Sequence, residues 1–456
     1  MKRRRKTFDP SHPSRKKRGK DGATDVNVPE TRGQSQTGMV QIEKPIYGGT
    51  FLARPEGRAI FVPLALPGEQ ARIRIVEEKR GYATAEVQEI VAAAPERVTP
   101  KCMHFGACGG CQYQHADYAA QLRLKKEILR ETLERGGVHA QEEIAALAAE
   151  PWGYRNRIRA AFDAEGNMGY RGPRSHEVIA IAECPIAAPL LVRAALAAKE
   201  IACKQVPRLR LQEISLFCDA EEQTLLAQVI ASDGKKWFEE FAREWAEKVP
   251  ELKGADLANP GERGQMPRTV ASWGASSLPY RAAGFIYRVD QGAFFQVNRW
   301  LVDRLVRLVT GGLHGGLTWD LFAGVGLFAR RLAEQFESVV AVESAPAAVR
   351  GLNRNLEGAG AQAVKATTVD YLRRARGSER PDLIVVDPPR TGLGAETTEL
   401  LGRIAAPALV YVSCDPATLA RDLKALIGAG YAMEEITLID LFPQTFHLET
   451  VVMLRQ

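Results

Sequence analysis

Asp320-Leu321-Phe322-Ala323-Gly324-Val325-Gly326-Leu327-Phe328-Ala329 decides the fold of the C-terminal half. The apolar residues from Leu317 to Phe322 read as a buried strand, the two glycines as a tight turn, and the residues from Leu327 as a helix. A strand that hands over to a helix through glycines sets free backbone amides beside a ligand crevice. Glu343 closes the next strand, Ser338–Glu343, where a carboxylate can hold ribose hydroxyls. Gly324 to Ala329 also satisfies G-x-G-x-x-A, so this stretch alone fits an NAD enzyme as well as an S-adenosylmethionine enzyme.

Around it the grammar from residue 291 is βαβ. A helix capped by Asn298 comes first. A helix over 346–357 and strands at Val364–Val369, Asp382–Val386 and Ala408–Val412 follow, then a last pair near 434–442 and 447–454. Strands alternating with helices predict a doubly wound, mainly parallel α/β sheet. Gln296 reads as a neighbour of that helix cap or as a ligand-facing amide.

The carboxyl ends of such strands face the crevice. Asp387 stands there in Asp387-Pro388-Pro389-Arg390, and Cys414 in Ser413-Cys414-Asp415-Pro416. Glu449 falls on the last strand. Asp415-Pro416 has the form of a helix start, an acidic N-cap followed by proline. The helix dipole there is expected to favour the Cys414 thiolate. A thiol nucleophile, a carboxylate base and an adenosine site suit addition chemistry better than hydride transfer.

The rest of the chain divides by texture. Residues 1–38 are polar and basic without apolar periodicity and are expected to be disordered. Residues 39–97 carry short period-two runs broken by Gly and Pro, which predicts a small β-barrel. Its Arg72, Arg74, Lys79 and Arg80 face either a nucleic acid or solvent. Residues 98–290 read as a central α+β region. A helix lies within 114–135, strands alternate over 152–232, a helix covers Lys235–Val249 and a loop Asn259–Gln265. Residues 291–456 form the α/β domain. Tyr154-Arg155-Asn156-Arg157-Ile158-Arg159 sets basic side chains on alternate positions, as a phosphate-facing strand would.

Cys102, Cys108 and Cys111 fall within ten residues, among glycines that let the backbone curl. Such a set can ligate a metal or a cluster, and Cys184 in Glu183-Cys184-Pro185 is the best fourth ligand. Zinc on four cysteines is the competing reading. Cys203 and Cys218 read as core fillers. With seven cysteines, an odd number unevenly spaced, the pattern favours metal or catalysis over disulfides.

The chain has 456 residues, 25% of them charged and 45% hydrophobic, an ordinary globular balance. The net charge of +6 is misleading. Residues 1–20 hold ten Lys/Arg and one Asp, which leaves −3 for the remainder. RNA contacts in the folded body are therefore expected in local patches. No run suits a membrane span, and the N-terminus lacks a secretory apolar segment, so a cytoplasmic monomer is expected.

Six motifs coincide: Cys-x5-Cys-x2-Cys with Glu-Cys-Pro, Phe-Phe-Gln-Val-Asn, Asp-Leu-Phe-x-Gly-x-Gly, Asp-Pro-Pro-Arg, Ser-Cys-Asp-Pro and His-x-Glu-Thr-Val. Together, over about residues 40–456, they resemble the S-adenosylmethionine-dependent RNA uracil-5-methyltransferases. The likeness is to the 23S ribosomal RNA branch, with its TRAM domain and [4Fe-4S] cluster. The resemblance implies a class I (Rossmann-like) methyltransferase domain behind a TRAM/OB-like barrel. By it, Gln296, Phe322, Glu343, Asp370 and Asp387 bind S-adenosyl-L-methionine, Cys414 is the nucleophile and Glu449 the base. Cys102, Cys108, Cys111 and Cys184 hold the cluster. Ala323 and Leu327 depart from the family pattern, and Leu327 loses a polar contact. Ribosomal RNA is the expected substrate, transfer RNA in the thymine loop the runner-up, and an NAD-linked iron–sulfur oxidoreductase the alternative outside the family.

Overall fold

The computed structural model describes residues 37–140, 143–204, 210–261, 267–375 and 380–456. The basic tail lies outside them, as does part of the Asn259–Gln265 loop.

Five strands open the described chain: β1 (Thr37–Ile46), β2 (Thr50–Ala53), β3 (Ala59–Pro63), β4 (Gln70–Lys79) and β5 (Tyr82–Ala92). They close into a barrel in the order β1-β2-β3-β5-β4. Alternation fills it with Val40, Ile42, Phe51, Val62 and Ile73. The outward cations are neutralised: Arg72 pairs with Glu89, Arg74 with Glu86 and Lys79 with Glu77. The solvent reading of that face therefore fits better than the phosphate reading.

After the barrel come α1 (Tyr118–Arg135), β6 (Ala145–Leu147), β7 (Arg157–Phe162), β8 (Met168–Arg171), β9 (Val178–Ala180), α2 (Pro189–Lys204), β10 (Leu211–Cys218) and β11 (Leu225–Ala231). Then follow α3 (Phe238–Lys248), β12 (Leu252–Asn259) and β13 (Arg268–Gly274). Seven of these strands form one sheet, β13-β12-β11-β10-β7-β8-β9. Helices α2 and α3 pack into its core through Leu191, Ala198, Phe241 and Trp245. A hairpin, β14 (Ser277–Ala282) and β15 (Phe285–Asp290), buries Tyr280 and Tyr287 in the C-terminal core.

The C-terminal elements are α4 (Val302–Thr310), β16 (Gly315–Leu321), α5 (Ala329–Leu332), β17 (Phe336–Glu343), α6 (Pro346–Asn355), β18 (Ala361–Lys365) and α7 (Thr368–Arg374). The run ends with β19 (Leu383–Val386), α8 (Gly394–Ile404), β20 (Ala408–Ser413), α9 (Pro416–Gly428), β21 (Ala432–Ile439) and β22 (Thr450–Arg455). They build an eight-stranded sheet, β18-β17-β16-β19-β20-β22-β21-β6. Strands β16 to β20 are parallel, and β22 runs antiparallel between β20 and β21. Along β20, Val410 and Val412 feed one apolar layer while Leu409 and Tyr411 feed the other. A strand covered on both faces explains the unbroken apolar run.

Five local expectations are corrected. The segment Val364–Val369 is not one strand: β18 ends at Lys365, and Thr367 caps α7 by accepting from the Asp370 amide. The helix expected from Leu327 is the single turn α5. Asn298 caps no helix; its Oδ1 accepts from the Trp300 amide, and its amide donates to the carbonyl of Leu441. The span 152–232, read as strands, contains the sixteen-residue helix α2. Cys203 is exposed, unlike the buried Cys218. Among the described residues no helix is long and apolar enough to cross a membrane.

Candidate active site

The reversal of strand order between β16 and β19 opens a crevice at their carboxyl ends. Leu321 is in register with Val342 of β17 and Val386 of β19, and Val386 with Tyr411 of β20. The turn after β16 is tight. Phe322 takes a positive φ of 64°, and Gly326 one of 90°. A Cβ on Gly326 would meet Leu352 Cδ1 at 2.9 Å, so this position needs glycine. Glu343 closes the turn from the next strand. Its Oε2 accepts from the Gly324 amide at 2.9 Å and its Oε1 from the Ser344 amide at 2.6 Å. Asp320 Oδ2 accepts from the Ala329 amide at 2.8 Å, while its Oδ1 is buried without a partner.

Cys414 and Glu449 meet through the antiparallel pair. Ser413 lies opposite Thr450 in the β20–β22 register, so the residue after one strand and the residue before the other share an edge. Glu449 thus precedes β22 rather than lying on it. Asp415 caps α9 as expected, its Oδ1 accepting from the amides of Ala417 and Thr418.

The electrostatics overturn the expected thiolate. Burial pushes the Cys414 thiol up to about 12, with the Glu449, Asp387 and Asp415 carboxylates adding to the rise and Arg390 opposing it. Burial, reinforced by the acidic surroundings, outweighs the helix start. Burial likewise raises Asp387 to about 7 and, with Asp387 and Glu343 nearby, Asp320 to about 8. Glu449 is pushed well above the usual carboxylate range by burial and by Asp387. Arg390, exposed at the rim, faces His447 Nδ1 at 3.5 Å. Burial and Arg390 drop that imidazole to about 4, so it stays neutral at pH 7.

Phe322, Glu343, Asp387, Cys414 and Glu449 are therefore neighbours along one edge. Gln296 is buried on the strand-like approach to α4, where its carbonyl accepts from Asn156 Nδ2 at 2.9 Å. The adjacent Phe295 belongs to the same apolar cluster as Ala323 and Val325 of the glycine turn. Asp370 stands apart: its Oδ2 accepts from the Thr367 hydroxyl at 2.7 Å and its side chain is about half exposed. Sequence reasoning passed over Arg390 and Asp320 as site groups, although both lie inside motifs it quoted. His447 lies inside a quoted motif too, whereas Tyr47, whose ring meets Phe446, gave no signal of its own.

A second site lies in the central region. Cys102, Cys108, Cys111 and Cys184 line one cavity of about 430 Å³ together with Arg155 and Tyr170. Among the described residues no three His, Cys, Asp or Glu side chains are grouped to hold a single metal ion. Three buried polar atoms in the lining lack partners: His104 Nε2, Arg155 Nε and Tyr170 Oη. The Gly110 amide donates to Cys108 Sγ at 3.4 Å.

Known proteins match this chain over most of its length. A tRNA (uracil-5-)-methyltransferase family profile matches residues 377–456, and a TRAM domain profile matches 29–88. The chain is 34% identical to a 23S rRNA (uracil(1939)-C(5))-methyltransferase of Chromohalobacter salexigens, over 91% of this chain and 88% of that protein. It is also 34% identical to an uncharacterized RNA methyltransferase of Streptomyces avermitilis, over 91% of this chain and 97% of that protein. A crystal structure of the tRNA (uracil-54, C5)-methyltransferase of Pyrococcus abyssi with S-adenosyl-L-homocysteine superposes with a TM-score of 0.74. It is 24% identical and covers 91% of this chain and all of that one, so it bears on the fold alone.

Proposed function

We propose, from the premise that the chain belongs to the S-adenosylmethionine-dependent RNA uracil-5-methyltransferases, that it methylates C5 of one uridine in 23S ribosomal RNA and does so as a cytoplasmic monomer. The observation that carries the reading is the pairing of β20 with β22, which sets Cys414 and Glu449 on one edge. S-adenosylmethionine supplies an electrophilic methyl group on a sulfonium. The crevice residues Gln296, Phe322, Glu343 and Asp387 are the group proposed to bind it. Asp370 is the weaker member, since its carboxylate is engaged in capping α7.

Uracil C5 is a poor nucleophile. Cys414 Sγ adds to C6, and C5 gains enolate character and takes the methyl group as the bond from that methyl to the sulfonium sulfur breaks, which would leave S-adenosylhomocysteine. The C5 proton then passes to Glu449, and the electron pair re-forms the C5–C6 double bond as the C6–S bond breaks. The raised Glu449 pKa suits a base that works near neutrality. The protonated resting thiol must lose its proton for addition, and the neighbouring carboxylates are the acceptors at hand. A uridine inside a helix cannot reach this edge, so the target is a flipped or loop nucleotide. Cys102, Cys108, Cys111 and Cys184 are proposed to hold a [4Fe-4S] cluster, which would tie the central segments together. The cavity that the four cysteines share is the observation behind a site there.

The test uses labelled S-adenosylmethionine with unmodified 23S ribosomal and transfer RNA transcripts, followed by mass mapping. Methylation of one ribosomal uridine is expected; label in the thymine loop alone would reassign the substrate. Cys414→Ala should lower turnover by at least about 10³-fold while S-adenosylmethionine still binds. Glu449→Gln should accumulate a covalent protein–RNA adduct on denaturing gels; prompt release would point to another base.

A further inference from the structure

Trp152 and Trp300 line one groove of about 1020 Å³ beside the four-cysteine cavity, and the two share Glu183, Cys184 and Pro185. Trp300 comes four positions after Gln296, so its Cα lies at most about 14 Å from that of Gln296. The segment that carries both pairs with the one that follows Trp152. The Asn156 amide donates to the Val297 carbonyl and the Arg299 amide to the Tyr154 carbonyl, each at 3.0 Å. The Trp300 indole is fixed from behind. Arg299 Cζ lies 4.2 Å from its ring centroid, and its Nε1 donates to the Trp152 carbonyl at 3.3 Å. Arg299 is itself held by the carbonyls of Gly153 and Ala220 and by Glu222. Trp300 still keeps 41% of its surface exposed. Lys101 Nζ sits 5.0 Å from the Trp152 ring centroid. Three other cations of the lining are matched, Arg193 by Glu251, Lys248 by Glu200 and Arg299 by Glu222. Lys101 is exposed and has no carboxylate partner among the described residues.

We propose that this groove takes one unpaired nucleotide of the RNA strand that flanks the target uridine. Its base stacks on the Trp300 face opposite Arg299, and its phosphate meets Lys101. The inference rests on the reading of an RNA loop as the substrate. A ring with a guanidinium behind it and solvent before it is a platform for any base, because every base has a π face. The indole is held before binding, so little side-chain freedom is lost when a base arrives. Charge sets the size of the ligand. One unmatched cation suits one phosphate, and Glu183 in the same lining repels a run of them. A duplex keeps its base faces in its own stack and does not fit. A nucleotide held this close to Gln296 keeps the strand open where the target must leave its stack.

The experiment measures, by fluorescence anisotropy, how the full chain binds a labelled single-stranded RNA of mixed sequence, about twelve nucleotides long, and the same strand annealed to its complement. Trp300→Ala should weaken single-strand binding about tenfold, and Trp300→Phe, which keeps a ring, by about threefold or less. Duplex binding should not respond to either. Lys101→Met keeps the stem over Trp152 and removes the charge, so the slope of log affinity against log salt should fall by about 0.7. Unchanged single-strand affinity in Trp300→Ala, or the same loss on the duplex, overturns the proposal; the first result would leave a protein surface as the occupant. Lys101 is exposed and its change leaves the fold intact, so an unaltered salt slope overturns the proposal even if Trp300→Ala does not fold. The assay needs no methyl transfer. A chain that binds the single strand through Trp300 yet never methylates RNA sinks the enzymatic reading alone. One that methylates ribosomal RNA but binds it independently of Trp300 and Lys101 sinks this inference alone.

Discussion

Three carboxyl groups, Asp320, Asp387 and Glu449, are buried at one sheet edge, and each holds its proton more tightly than an ordinary carboxylate. Free carboxylates titrate near about 4. Asp387 titrates at about 7 and Asp320 at about 8 in the folded chain. Below about pH 4 both states hold these protons, and the groups do not affect stability. As pH rises, the unfolded chain releases them first, so folding weakens until the folded groups also ionise. The ligand-free protein should therefore melt at a lower temperature at pH 8 than at pH 5, and Asp387→Asn should flatten that slope. Calorimetry across this range checks it; a melting temperature that climbs toward pH 8 would show the carboxyls to be solvated or paired. The same burial explains why the Cys414 thiol departs from the expected thiolate. The helix start was legible in Asp415-Pro416, and Asp387 and Glu449 were legible at strand ends, but their burial beside the thiol was not.

Helix α1 is fastened to the loop before Glu449 by a buried ion pair. Lys125 Nζ lies 2.6 Å from Asp440 Oδ1 and donates to the Phe442 carbonyl at 2.9 Å, with both side chains shut off from solvent. Gln121 adds a second tie, its Nε2 donating to Gln444 Oε1. Lys125→Met would leave Asp440 charged and alone in an apolar setting, at a loss of about 3–5 kcal/mol. The double variant Lys125→Met/Asp440→Leu should regain most of it. Urea unfolding of the parent and both variants decides the matter; equal stability of the double and single variants would mean that packing dominates rather than the charge. Neither partner could be paired from sequence, since 315 positions separate them. What was legible followed local rules. Apolar runs such as Ala408–Val412 mark strands, and strand ends collect the chemistry. Helix α2 escaped because Ala194, Ala195, Ala198 and Ala202 form its buried stripe, and small residues blur the helical period. Strand β18 was read in the wrong register because Val364 and Val369 look alike, whereas Thr367 between them caps a helix.

The described chain from Thr37 to Gln456 forms one compact unit, although its sequence has three textures. The barrel core is completed by residues outside the barrel: Tyr113, Ala116 and Leu124 pack with Val40, Phe51 and Val62. Strand β6, from the central region, extends the C-terminal sheet by pairing with β21. The Tyr154 hydroxyl donates to the Pro443 carbonyl, and Arg299 joins the Gly153 and Ala220 carbonyls. Each region thus buries surface that another supplies, and the loss of one exposes apolar area on the next at about 25 cal/mol per Å². Unfolding should accordingly be a single cooperative event. All six tryptophans lie outside the barrel strands, so their fluorescence reports on the rest of the chain. Amide exchange at Val40 and Ile73 reports on the barrel. The two opening free energies should agree within about 1 kcal/mol. A barrel that exchanges at much lower free energy would be a separable module.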